Sequence, residues 1–180
     1  TRSLMRICVF CGSATGFDPV YAEAARELGS LMAARNITLI YGGGNVGLMG
    51  IVADAVLTST GKVIGVIPGF LAAREVAHAG LTELIITDSM HERKRRMADL
   101  ADAFIALPGG WGTLDELAEI LTWKQLGLVK APVGLLNTDH FFDPLLMQME
   151  KMVSHGFLGA TQFQYLQVAS QPGHLLARLA

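Results

Sequence analysis

The chain has 180 residues, of which 51% are hydrophobic and 17% charged, with a formal net charge of −2. That composition fits one globular domain with a full core and excludes a disordered chain. The weak net charge gives no basis for binding nucleic acid or an acidic membrane surface.

No apolar run approaches the roughly 18 residues that a membrane helix needs. Residues 1–6 pass straight into a strand pattern, without the charged and then apolar regions of a signal peptide, so a cytoplasmic protein is expected. The first strand is expected at Arg6–Phe10 and carries Cys8-Val9-Phe10-Cys11. A CxxC pair invites a redox or metal reading. The redox motif, however, opens a helix, residues three apart on a strand face opposite ways, and four metal ligands would need a second pair. Both cysteines are therefore read as buried thiols of a reducing cytoplasm, and no metal site is expected.

Cys11-Gly12-Ser13 forms the first strand-to-helix loop, and a helical pattern at residues 20–35 leads to a strand at Thr38–Tyr41. Gly42, Gly44 and Gly47 then satisfy GxGxxG ahead of a helix at residues 47–59. The dinucleotide version of that motif follows the first strand and is completed by an acidic residue at the end of the next. Here it follows the second strand, and the third, at residues 63–67, ends in Ile67-Pro68-Gly69 without an acid, which argues against NAD. A P-loop fails as well, because Gly61-Lys62 is followed by Val63. The loop is either a tight turn with close helix–sheet packing or a place where a ligand lies on bare backbone. A second glycine loop on the same sheet edge favours the ligand. Glu75, beside Arg74, reads from the residues alone as a surface group paired with Arg74 or Lys62.

A strand at residues 84–87 leads into a helix at residues 89–102 containing Met90-His91-Glu92-Arg93-Lys94-Arg95-Arg96-Met97. Glu92 with Arg96, and Arg95 with Asp99, are i,i+4 pairs of an exposed face. Arg93 and Lys94 align instead with Met90, Met97, Leu100 and Ala101, and no acid lies three or four positions away. They are expected to meet a ligand or the Glu116 carboxylate, or to snorkel to the edge.

After a strand at residues 103–107 comes Pro108-Gly109-Gly110-Trp111-Gly112-Thr113, ahead of a helix at residues 114–126. Free backbone N–H groups at such a helix start make an anion site. Thr113-Leu114-Asp115-Glu116 fits a capping box, which needs no catalysis. The rival reading makes Glu116 a reactive carboxylate at the ligand edge, near enough to a phosphate to need the cations Arg93 and Lys94. Ile120 and Trp123 extend from Glu116 along one face, apart from a core stripe of Leu114, Leu117, Ala118 and Leu121. They are either a partner surface or the second side of a helix packed on both. Strands at residues 132–136 and Leu166–Ala169 and a helix at residues 144–155 complete the pattern. Strand–helix alternation with Val- and Ile-rich strands predicts a doubly wound α/β domain, its parallel sheet covered on both faces and its ligand beyond the strands' carboxyl ends.

These motifs resemble the LOG family of cytokinin riboside 5′-monophosphate phosphoribohydrolases, once labelled lysine decarboxylases. The motif PGGxGTxxE is matched by Pro108 through Glu116, and Met-His-x-Arg-Lys-x-x-Met by Met90, His91, Arg93, Lys94 and Met97. The early Cys-Gly-Ser, the Tyr-Gly-Gly-Gly loop, the Val-Ile-Pro turn and Lys130 with residues 132–137 also match. The resemblance implies a Rossmann-like fold, with residues 1–180 as one domain binding a nucleoside monophosphate, usually in a homodimer. It implies release of a free base and ribose 5-phosphate from (N6-modified) adenosine 5′-monophosphates. Arg93 and Glu116 become a catalytic pair. Substrate contacts fall on Glu75, Arg93, Lys94, Gly110, Trp111, Gly112, Thr113, Leu114, Asp115, Glu116 and Thr122. In the mechanism expected from this, the phosphate sits on the amides of residues 109–113, Gly109 among them, while Arg93 holds Glu116 ionised. Ser13, Gly43 and Gly44 border base and sugar. Decarboxylase chemistry usually needs a lysine–pyridoxal Schiff base. No lysine here stands in a recognisable motif for one, and no cofactor is expected. A rival of another class is a nucleotide sensor or carrier, which would have no use for a carboxylate beside phosphate.

Overall fold

The computed structural model describes residues 4–179. In chain order the elements are β1 (Arg6–Phe10), α1 (Pro19–Ala34), β2 (Thr38–Tyr41), α2 (Gly47–Thr58), β3 (Val63–Pro68), α3 (Gly69–Ala72), β4 (Glu83–Thr87) and α4 (Met90–Leu100). They continue with β5 (Ala103–Ala106), α5 (Trp111–Gln125), β6 (Val133–Leu136), a short helical turn at Thr138–His140, α6 (Asp143–Ser154), α7 (Ala160–Gln164), β7 (Leu166–Ala169) and α8 (Pro172–Leu179).

The strands form one seven-stranded sheet in the order β4-β3-β2-β1-β5-β6-β7, and every pairing is parallel. The chain winds outward from β1 to β4, crosses back to lay β5 on the free side of β1, and winds outward again to β7. Ile7 therefore faces Ala103 and Phe10 faces Ala106 across the β1–β5 pair. The loops leaving these two strands turn opposite ways. That reversal opens a crevice beyond the strand ends, where ligands of such sheets bind.

Strand alternation divides the apolar residues between two cores. Ile7, Val9, Leu39, Tyr41 and Ile105 pack with residues of α1, α2 and α8. Cys8, Phe10, Ile40, Phe104 and Ala106 pack with α4, α5 and Phe142. Cys8 and Cys11 accordingly fall on opposite sides of the sheet, and both are free thiols. Burial pushes both thiols up, which keeps them protonated. Among the described residues no group of three or more His, Cys, Asp or Glu is placed to hold a metal ion, and no helix is long and apolar enough to cross a membrane.

The doubly wound sheet is the expected one; α3, α7 and α8 are additions. Each spans eight residues or fewer, too short for helical periodicity to declare itself. Two helix starts decide the site. α4 opens with Ser89 as N-cap, its hydroxyl accepting from the Glu92 N–H at 3.1 Å, while Glu92 accepts from the Asp88 N–H at 2.8 Å. Glu92 thus serves the cap. Of the two i,i+4 pairs expected on this helix, only Arg95–Asp99 forms among the described residues, at 3.8 Å. α5 begins at Trp111 with Gly110 as N-cap, three residues before the expected start at Leu114. Thr113 is then the third helical residue and no cap, and Glu116 lies in the second turn. The capping-box reading of Thr113 and Glu116 is overturned, because a glycine with no side-chain oxygen already takes the N-cap position.

Candidate active site

The two loops at the β1–β5 reversal are bonded to each other. The Gly12 N–H donates to the Pro108 carbonyl at 3.1 Å, and the Leu48 N–H, at the start of α2, donates to the Gly12 carbonyl at 3.1 Å. Gly47 has a φ of 58°, and a Cβ there would run into the backbone of Ser13 and Ala14. Its glycine is required by conformation and by close approach. Ser13 itself is exposed on this loop.

The start of α5 differs. Its first intrahelical bond runs from the Leu114 N–H to the Gly110 carbonyl at 3.1 Å, which leaves the N–H groups of Trp111, Gly112 and Thr113 without helical acceptors. A Cβ at Gly110 or Gly112 would meet no atom within 4 Å, so neither glycine is explained by packing within the chain. Trp111 between them is 88% exposed. Gly109 is the packed member, its Cα lying against the buried Thr113 side chain and Gly12. Open backbone N–H groups at the positive end of a helix dipole form a site for a phosphate-sized anion.

Arg93 is the buried cation of the site, 3% exposed. Its Nε donates to the Val66 carbonyl at 2.9 Å, and its Nη2 donates to the Gly42 carbonyl at 2.7 Å and to Glu75 Oε2 at 3.2 Å. The guanidinium thus ties α4 to the ends of β2 and β3, and a Cβ at Gly42 would overlap it. Lys94 points the other way, to Asp115 Oδ2 at 2.6 Å and Glu119 Oε2 at 2.7 Å, and joins α4 to α5. Burial draws the lysine down, but the Asp115 and Glu119 carboxylates outweigh it and hold the ammonium above its ordinary value. Both cations found their anions on other elements, as residues without helical partners must. Neither makes the expected contact with Glu116.

No hydrogen bond or ion pair among the described residues ends on the Glu116 carboxylate. Glu116 helps line a small cavity with Phe10, Met97, Phe104, Ile120 and Trp123, beside Lys94 and Glu119. Burial raises its pKa, with Glu75 and Asp115 adding to the rise and Arg93 and Lys94 opposing it, and the result is a carboxyl pushed up to about 7. A partly buried, unpartnered carboxyl near neutrality is suited to take a proton from water at physiological pH.

Gly43 and Gly44 are buried, Gly43 at a φ of 76° against Ile67 and Leu84 and Gly44 against Glu75. Packing accounts for both. Leu114 and Thr122 are not gathered with the others. They line an apolar pocket of about 280 Å³ between α5, α6 and α7, together with Leu117, Leu121 and Met149. Ile120 is 3% exposed within the α4-side core, while Ala118 is exposed and Leu114 and Leu121 only partly buried. Leu117 of the expected core stripe is buried in that same core, so α5 packs through both Leu117 and Ile120 and is open at Ala118. Sequence reasoning missed Asp54 and His78, which meet at 2.6 Å. They lie 24 positions apart, in segments with no shared periodicity, and no sequence signal could have paired them.

Fold and site together define a Rossmann-like α/β domain with open helix-start amides and a near-neutral carboxyl on the helix that follows β5. A family model described as a possible lysine decarboxylase matches residues 49–179. The chain is 48% identical over 174 residues to Arabidopsis thaliana cytokinin riboside 5′-monophosphate phosphoribohydrolase LOG2, covering 97% of this chain and 82% of the relative. It is 55% identical over 153 residues to the enzyme LOG of the same description from Oryza sativa subsp. japonica, covering 85% and 63%. The chain belongs to this LOG family of phosphoribohydrolases. Among solved structures, the molybdenum cofactor binding protein from Rippkaea orientalis aligns with a TM-score of 0.72 at 24% identity, over 99% of this chain and 96% of that one. The molybdenum cofactor carrier protein from Chlamydomonas reinhardtii aligns at 0.72 and 23%, over 97% and 95%. At such identities the likeness is one of fold.

Proposed function

We propose that the protein hydrolyses the N-glycosidic bond of adenosine 5′-monophosphates, N6-modified cytokinin nucleotides among them, to free base and ribose 5-phosphate, with the chain acting as one nucleotide-binding domain and no cofactor. The observation that carries this is the pairing of unfilled helix-start amides at Trp111–Thr113 with the unpartnered Glu116 carboxyl one turn further along the same helix. The phosphate takes the amides of residues 109–113. Glu116 then faces the ribose, stabilises positive charge on the sugar as the C1′–N bond breaks with its electron pair going to the base, and accepts a proton from the water whose oxygen bonds to C1′, while the departing base nitrogen takes a proton from solvent. Arg93 acts from its buried position, holding Glu75 beside the sugar and lending positive charge to Glu116 without touching it.

The test is incubation with N6-isopentenyl-AMP and AMP, followed by chromatography for free base. Base release from the modified nucleotide, with Glu116→Gln retaining nucleotide binding but losing turnover about 10²–10⁴-fold, supports the reading. Measurable binding without release from any nucleotide would mark a sensor or carrier. Near-normal turnover of Glu116→Gln would remove Glu116 from the mechanism.

The partner we assign is a second copy, not nucleic acid or a membrane, and the reduced thiols suit the cytoplasm. Support for the dimer comes from the open apolar face of α5, α6 and α7. It carries Thr122, which lies about 9 Å along the helix from Glu116 and on another side. As a substrate contact, Thr122 reaches a nucleotide only across such an interface.

A further inference from the structure

After α3 the chain does not pass directly to β4. Residues 73–80 run back across the glycine loop as a strap. Gly44 and Ala77 pair in an isolated antiparallel bridge. The His78 N–H donates to the Gly43 carbonyl at 2.9 Å, and the Asn45 N–H is shared between the carbonyls of Glu75 at 3.2 Å and Val76 at 2.8 Å. From beneath, the buried Tyr41 hydroxyl donates to the Gly44 carbonyl at 2.8 Å. The strap delivers Glu75 to Arg93. The next residue, Val76, holds a φ of 50°, which β-branched side chains rarely adopt. Its side chain is 53% exposed, so no core contact of its own explains that conformation. The bonds on either side of it must impose the turn.

One of those restraints lies at the far end. The Gly80 N–H donates to His78 Nδ1 at 2.9 Å, which leaves the ring proton on Nε2, 2.6 Å from Asp54 Oδ1 on α2. The His78 side chain is 10% exposed and that of Asp54 62%. The Asp54 side chain thus stands largely in water, and among the described residues its one hydrogen bond is to the strap. We infer that Asp54 and His78 form a latch that fixes the strap and so positions Glu75, and through it Arg93, at the substrate. Both are positioning residues, and their effect on turnover rests on the phosphoribohydrolase reading above.

The test uses the full chain with Asp54→Ala, Asp54→Asn, Glu75→Gln and the double variant Asp54→Ala/Glu75→Gln. Steady-state kinetics are measured on N6-isopentenyl-AMP, AMP binding by calorimetry, and amide hydrogen exchange at Asn45, Ala77, His78 and Gly80. Asp54→Ala should speed exchange at these amides and lower kcat/KM about tenfold, mainly through KM, the factor one lost hydrogen bond sets. Melting temperature should hold, because Asp54 is exposed. Asp54→Asn keeps an acceptor for Nε2–H and should stay within about threefold of the unmodified chain. In the Glu75→Gln background Asp54→Ala should have no further effect. Unchanged exchange, unchanged kcat/KM in Asp54→Ala, or an equal fall in the Glu75→Gln background would each overturn the latch. If the unmodified chain releases no base, the enzymatic reading fails separately, and exchange with AMP affinity still decides whether the strap is latched.

Discussion

Glu116 has a working range set by its surroundings. With a pKa near 7 in the free protein, its ionised, proton-accepting form grows in as pH rises. kcat/KM should climb through about pH 7 and level off above it. A bound phosphate adds negative charge close by and penalises the carboxylate further, so the midpoint of kcat should lie at higher pH than that of kcat/KM. A pH–rate series that is flat from pH 6 to 8.5 would contradict this. The same shift has a stability consequence of opposite sense. A carboxyl whose folded pKa exceeds its unfolded value of 4.5 favours the folded state when protonated. That contribution is complete below the unfolded pKa and is lost as pH rises through about 7. Glu116→Gln should therefore match the unmodified chain near pH 4.5 and exceed it above pH 7, by on the order of 2 kcal/mol after allowance for partial exposure. Thermal melts across that pH range measure the difference.

At the scale of elements, the glycines of the α5 start separate into two kinds, and substitution should tell them apart. Gly112 is inside the helix with no neighbour for a Cβ, so Gly112→Ala should raise stability by about 0.5–1 kcal/mol through helix propensity. The added methyl stands where the ligand must meet bare backbone, so KM for the nucleotide should rise about tenfold or more. Gly47→Ala should destabilise instead, since both its φ of 58° and the Ser13 backbone oppose a side chain. If Gly112→Ala binds nucleotide unchanged, the phosphate does not sit on the α5 amides. This distinction was only half legible in the sequence. The PGG loop and the partnerless Arg93 and Lys94 could be read from spacing, because a helix wheel shows which charges lack local partners. Their actual anions could not. Glu75 arrives on a strap held by backbone bonds, and Asp115 and Glu119 meet Lys94 only because α4 and α5 pack side by side. The capping box, one of two readings of Thr113–Glu116, fails for a related reason. Ser89 to Glu92 and Thr113 to Glu116 both fit S/T-x-x-E, and only the first pair caps a helix, because α5 already starts at Trp111 with Gly110 as N-cap.

For the whole molecule, the β-strand and helix alternation specified the winding, since parallel strands need crossovers and buried strands need apolar residues on both faces. It did not specify which side of α5 stays open. Ile120 looked spare and is core, whereas Leu114, Ala118 and Leu121 border a pocket with Met149 and Met152. An apolar surface of that kind on an isolated chain calls for a cover, and a two-fold symmetric copy brings the same patch against itself. Light scattering behind gel filtration should then give twice the mass of one chain at micromolar concentration. Ala118 is exposed and makes no core contact, so Ala118→Arg should fold normally and run at the mass of one chain, because opposing arginines would bury unpaired charge at the centre of the contact. If the dimer also completes the site through Thr122, the Ala118→Arg monomer should lose turnover along with mass, while its own α5 amides still bind inorganic phosphate. A single-chain mass for the unmodified protein would refute the dimer. A fully active Ala118→Arg monomer would leave the site complete within one chain and remove Thr122 from it.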